Sequence, residues 1–309
     1  MQIFNCDTTT LVSTKMLMEG VHFDLTYIDL QHLGYKAAMI GMNQIFAGGG
    51  KPKVITISLG LSKRFQAPET EILYDGAKMA CEKWDVTFEV GDKTASLTGL
   101  AVSVTCIGEA AKEDIILPDG AHETDLICVS GDLGAAYMGL LLLEREKKVY
   151  YEQLKEGKIK KDDPWQPDFA GKEYLIQRQM EPEARGDILQ RLREAGIRPT
   201  SMIALSSSLS SELINICSAS KTGCRLFEKF IPIDYQTAVM AEELNMNVTT
   251  CAVNGGDDQE LLFTCPIGDN DALQAMEGIK VIGHITKPEL GMQLVARDGN
   301  EFEINKLNI

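Results

Sequence analysis

The 309-residue chain is 44% hydrophobic and 24% charged, enough apolar content to bury a substantial core and too much for a disordered chain, and its length favours two domains over one. A formal charge of −15, from 45 acidic and 30 basic residues, argues against the Lys and Arg clusters that phosphate-backbone binding needs, so no nucleic-acid partner is expected. An anionic substrate would then require a locally positive site or a metal.

The first residues, MQIFNCDTTT, lack the basic and apolar regions of a secretory signal, and no apolar run reaches membrane-spanning length. A cytoplasmic chain with no membrane partner is expected. Cys6, Cys81, Cys106, Cys128, Cys217, Cys224, Cys251 and Cys265 form no C-x-x-C pair and sit in apolar segments, the pattern of reduced, buried thiols.

In chain order, TTLVSTKMLMEGVHFD (9–24) alternates like a strand and its extension, and 30–47 has helical spacing through Leu33, Ala37, Ile40 and Ile45, stopped by Gly48, Gly49 and Gly50. KVITISLGLS (53–62) reads as a strand, Pro68 marks a helix start, and DVTFEV and LTGLAVSVTCIGEA are strands separated by a turn-like GDKTAS. This gives β-α-β-α-β-β. The polar segment 112–125 is the expected boundary between domains 1–117 and 118–309. Beyond it come a strand, turn and helix over 126–146, then a charged helix-and-loop insertion over 147–165. Helices are expected near 171–181 and 184–195, and MIALSSSLSSEL (202–213) reads as a strand running into a helix. GCRLFEKF, helices near 234–244 and 270–276, and the strands KVIGHIT and GMQLVARDG complete an α+β pattern.

Three glycine-aspartate sites, VGDKTAS, SGDLGAAYMG and NGGDDQELLF, combine backbone freedom with a carboxylate that can hold Mg²⁺ or cap a helix. For Asp132, capping a helix that starts near Leu133 is at least as expected as a ligand role. For Asp92 and Asp258, turn chemistry and ligand roles weigh equally. None of the sites is a P-loop or a strand-linked G-x-G-x-x-G. His22, in EGVHFD, fits a hydrogen-bonded structural residue better than an isolated catalyst. Ser206, Ser207 and Ser208 have neither a nucleophile elbow nor a paired base.

Taken together, MLMEGVHFDLTY, HLGYKAAMIG, VGDKTASLTGLAVSVTCIGEA, TDLICVSGDLGAAYMGLLLLE, QPDFAGKEYL, IPIDYQTAVMAEE, NGGDDQELLFT and VIGHITKPELG resemble the thiamine-monophosphate kinase family, in the version found in the Bacteroides group. The resemblance runs from about residue 10 to about residue 300. It implies a two-domain α+β fold like that of aminoimidazole ribonucleotide synthetase, with an N-terminal sheet that dimerises two copies. It also implies ATP-dependent phosphorylation of thiamine monophosphate to thiamine diphosphate, with Mg²⁺ held on a ring of aspartates. Residue by residue, it places substrate contacts on His22 and Asp257, and ATP contacts on Tyr74, Gly91, Asp92 and Ser206. The resemblance also places the metal contacts on Asp92, which is the expected catalytic residue too, and on Ser13 and Thr14, just before the metal-binding position of the first strand.

Departures cluster where the chemistry belongs. Lys15, Gln44, Ala204 and Ser207 stand on family metal-binding aspartates, Asp257 on a glutamate, Gln259 on a tyrosine and Pro118 on an arginine that meets ATP. The family's N-terminal G-D-D-A-A segment and aromatic C-terminal tail have no counterpart in the chain. Mg²⁺ wants anionic oxygens, which amide, methyl and hydroxyl groups do not replace. Lys15 could instead meet a phosphate as a point charge. An active kinase, a catalytically inactive member serving as pseudokinase or dimerisation partner, and a different enzyme on the same scaffold are the competing expectations.

Overall fold

The computed structural model describes residues 8–160 and 166–304; Cys6 and the far end of the 147–165 insertion lie outside them. The N-terminal half is built on β1 (Thr9–Met18), β2 (Lys51–Leu61), β3 (Thr87–Ala95) and β4 (Ala101–Ala110), in the order β1-β4-β2-β3. Only β2 and β3 run parallel. On β1 the strand period turns Leu11, Ser13, Lys15 and Leu17 inward, while Val12, Thr14 and Met16 are exposed.

Two helices cover the inner face: α1 (Leu30–Ala47), whose N-cap Asp29 accepts a hydrogen bond from His32 N–H at 2.9 Å, and α2 (Ala67–Lys83), which opens with Pro68 in its first turn. They approach closely because each offers a glycine at the crossing. A Cβ on Gly34 would lie 1.8 Å from the Leu73 carbonyl oxygen, and one on Gly76 would lie 1.9 Å from that of Gln31. The expected turn at GDKTAS is a correction: β3 continues to Ala95, pairing with β2 across a register shift between Ile57 and Leu59, and the chain turns only after Ser96. Continued ladder pairing with a long neighbour overrides local turn preference.

The C-terminal half contains β5 (Leu126–Ser130), α3 (Ala135–Lys155), α4 (Glu173–Met180), α5 (Gly186–Glu194), β6 (Ser201–Ala204), α6 (Leu209–Ser220) and β7 (Gly223–Phe227). These are followed by α7 (Tyr235–Glu243), α8 (Val248–Asn254), β8 (Leu261–Cys265), α9 (Asn270–Ala275), β9 (Ile279–Thr286), β10 (Met292–Val295) and β11 (Glu301–Glu303). The second sheet runs β11-β10-β7-β9-β5-β8-β6. One face packs Ile127, Val129 and Leu262 against Leu209, Leu213 and Ile216 of α6. The other sends Cys128, Phe263 and Cys265 into a core shared with α1. Buried on both sides, β5 and β8 are continuous apolar runs instead of alternating ones. For the same reason α1 is buried around most of its circumference.

Two further local readings change. The seven-residue α8, capped by Asn247, was not expected, and α3 begins at Ala135 without a cap from Asp132. The Asp258 carboxylate does that work from another loop, accepting N–H bonds from Gly134 at 2.9 Å and Ala136 at 3.2 Å. Asp132 instead accepts the Tyr174 hydroxyl, and burial raises its carboxyl above the usual range against the pull of Arg178. The described cysteines, Cys81 to Cys265, are buried and free.

Candidate functional site

A cleft of about 660 Å³ opens between the two halves. β1 delivers Lys15, and the turn that follows it delivers His22; α1 supplies Lys36, the β6–α6 turn supplies Ser206–Ser208, and the loop after α8 supplies Gly256, Asp257 and Gln259. This last loop is held in an uncommon shape. Asp257 and Gln259 both adopt left-handed φ, 63° and 56°, and Gly256, at φ 82°, lies where a Cβ would come within 3.0 Å of the Ser207–Ser208 backbone. Such conformations persist only where surrounding contacts fix them.

Those contacts form a buried ionic layer beneath the cleft. Glu260, 1% exposed, receives Arg178 Nη1 at 2.8 Å, Arg185 Nη1 at 2.9 Å and the Ser130 hydroxyl. Beside it, burial pushes the Asp258 carboxyl up to about 7, outweighing the opposing pull of Arg178 and the two amide donors. Desolvation opposes the charge on Arg178, and its acidic neighbours Glu260, Asp258 and Asp132 more than restore it.

The cleft's cations differ in how they are neutralised. Lys36 Nζ, almost fully buried, bonds Asp257 Oδ2 at 2.7 Å and the Gln179 carbonyl at 2.8 Å. Lys147 pairs with Asp24 at 2.8 Å and Glu144 at 3.3 Å. Lys15 makes no ion pair among the described residues; its Nζ donates to Ser206 Oγ at 3.0 Å. His22 Nδ1 accepts the Met18 N–H at 3.1 Å, which leaves Nε2 as the protonated, donating nitrogen of the neutral ring.

Of the residues singled out in the sequence, Lys15, His22, Ser206, Ser207 and Asp257 line this cleft. Ser13 Oγ is tied to the Gly41 carbonyl, and Thr14 bonds Thr105 on the outer sheet face. Gln44 is half-buried outside the cleft lining, with its Nε2 unpartnered. Tyr74 is fully buried against Phe88, with Lys93 over its ring. Gly91 and Asp92 lie on β3, at the sheet edge opposite β1, so one chain does not bring Asp92 to Lys15. Sequence reading missed Lys36, although a lysine spaced three and four residues from Leu33 and Ile40 on an apolar helix face was a usable signal. The Arg178–Glu260 layer had no such signal, because its members are far apart in the chain.

Residues 2–110 match the family model described as AIR synthase related protein, N-terminal domain. The thiamine-monophosphate kinase of Aquifex aeolicus is 30% identical over 261 residues, covering 84% of this chain and 77% of the relative. The chain belongs to the thiamine-monophosphate kinase family. The solved Aquifex aeolicus enzyme superposes with a TM-score of 0.78 at 26% identity, over 97% of this chain and 91% of that one. The solved complex of AaThiL with AMPPCP and TMP gives 0.79 at 27% identity, over 97% and 87%. The fold is therefore the AIR-synthase-like α+β fold.

The donor set on this chain does not fit the metal that the thiamine-monophosphate kinase family implies. Ala204 presents a fully buried methyl group, Asp257 is committed to Lys36 and Gln259, and among the described residues no group of three or more His, Cys, Asp or Glu converges. At an effective dielectric near 20, a cation about 4 Å from the Lys15 ammonium meets repulsion of about 4 kcal/mol per unit charge. The same ammonium attracts an anion by as much.

Proposed function

We propose that the chain catalyses the ATP-dependent phosphorylation of thiamine monophosphate to thiamine diphosphate. The supporting observation is the match, across nearly the whole chain, to a solved relative whose complex carries AMPPCP and TMP. In the transfer, an oxygen of the thiamine phosphate attacks the γ-phosphorus of ATP, the bond to the β–γ bridging oxygen breaks, and ADP leaves with that electron pair. Both reactants are anionic, so catalysis is positioning and charge compensation. His22 Nε2–H and Lys15 from the N-terminal half and the Ser206 hydroxyl from the C-terminal half offer donors, while Asp257, oriented by Lys36, offers an acceptor. Gly91 and Asp92 remain the candidate ATP contacts, with Asp92 the candidate catalytic carboxylate; the Tyr74 side chain is fully buried and not open to a ligand, which corrects its expected ATP contact.

The exposed apolar face of β1, with Val12 at 64% and Met16 at 58% exposure, supports a homodimer formed through the N-terminal sheet. Division into domains 1–117 and 118–309 and a cytoplasmic location belong to the same reading. No helix among the described residues is long and apolar enough to cross a membrane. Chromatographic detection of thiamine diphosphate from ATP and thiamine monophosphate tests the activity, and absence of product at high protein concentration rejects it. Binding of both ligands without product would equally count against it.

A further inference from the structure

We infer that Lys15 stands in for a metal: its ammonium, with the Ser206 hydroxyl and the N-terminal end of α6, holds phosphoryl oxygens directly, so that phosphate esters bind this cleft without a divalent cation. The inference deepens the proposed function and rests on that reading for the identity of the ester.

Geometry carries it. Lys15 lies on the inward face of β1 and reaches across the cleft to Ser206 at 3.0 Å, joining the two halves of the molecule through a hydrogen bond instead of an ion pair. The other lysines of the cleft are neutralised by Asp257, Asp24 and Glu144. Among the cleft lysines, Lys15 therefore keeps its charge for a ligand. Ser206 begins the turn into the twelve-residue α6, whose N-cap is Ser208 and whose amide end carries partial positive charge. A separate observation on the same cleft points to a ligand. Gln259 is 2% exposed, its Nε2 donates to Asp257 at 2.9 Å, and its Oε1 has no hydrogen-bond partner. A buried acceptor without a donor costs stability unless something fills it. The matching ligand carries a phosphate for Lys15.

Calorimetric titration of the full chain with thiamine monophosphate, with AMPPCP and with inorganic pyrophosphate, first in EDTA and then in excess Mg²⁺, tests the assignment. At least one phosphate ligand should bind equally well in both conditions. Lys15→Met should weaken that binding about tenfold or more, and Lys15→Arg should retain most of it, as expected for loss and retention of a charge-assisted contact. Thiamine, which lacks the phosphate, should not distinguish Lys15→Met from the parent chain, a comparison that also controls for misfolding. Binding that appears only with Mg²⁺, binding unaffected by Lys15→Met, or no binding of any probe overturns the inference. Lys15-dependent binding of pyrophosphate alone would uphold the anion site while removing support for the kinase reading. Mg²⁺-independent binding of thiamine monophosphate unaffected by Lys15→Met would do the reverse.

Discussion

At the scale of single residues, the cleft is governed by which charges are already paired. Lys36 is buried and depends on Asp257, whose side chain is about a third exposed. Asp257→Ala should therefore destabilise the chain by about 2 kcal/mol, less than the roughly 3–5 kcal/mol of breaking a fully buried pair. Urea unfolding would measure it, and Asp257→Ala/Lys36→Met should recover part of the loss. Asp258 behaves differently. Its carboxyl is pushed from 3.8 up to about 7 by burial, so between those values the folded chain binds more protons than the unfolded one. This contribution is fully present below about pH 4 and is lost as pH rises through about 7. Melting temperatures of Asp258→Asn across that window should lack this component of the fall.

At the scale of elements, helix packing sets a close tolerance. Gly34→Ala places a methyl group against the Leu73 carbonyl, and a separation of 1.8 Å cannot be relieved by a side-chain rotation. A loss of about 3 kcal/mol, the upper range for overpacking, is expected in the denaturation midpoint. The long elements were legible in the sequence because their period is sustained: 30–47 is the observed α1, and Leu209 and Leu213 do share the buried face of α6. The failures have physical causes. Seven residues give α8 too few turns for a period to register, β3 gains partners that no local pattern encodes, and the cap of α3 comes from Asp258, more than a hundred residues away. In the site, Lys15, His22, Ser206, Ser207 and Asp257 were found from their motif positions, and the structure gathers them in one cleft. Their charge balance was not legible, since it depends on Asp24 reaching Lys147 and Asp257 reaching Lys36 from distant parts of the chain.

At the scale of the whole molecule, the family's fold is kept, while Lys15, Gln44, Ala204 and Ser207 stand where the sequence resemblance leads one to expect carboxylates. Ala204 is fully buried, which makes restoration asymmetric. A chain carrying K15D, Q44D, A204D and S207D together should be less stable than the parent in EDTA, because it buries and clusters carboxylates. Mg²⁺ should then raise its melting temperature, by the equivalent of about 2.7 kcal/mol at a hundredfold excess over Kd, and leave the parent unchanged. No response of the variant to Mg²⁺ would show that the four positions do not suffice to build a metal site.

The Asn43 side chain has a consequence for how a ligand enters. Its Nδ2 donates to the Gln259 carbonyl at 2.7 Å in the interior, and its Oδ1 accepts the part-buried Arg185 N–H at 2.9 Å. This one amide rivets the central helix to two separate stretches of the C-terminal half, immediately beside the strained loop. Hinge closure would have to break both bonds at once. The cleft is accordingly a preformed seat with little freedom to surrender on binding, and small-angle scattering should give the same radius of gyration with and without ligand.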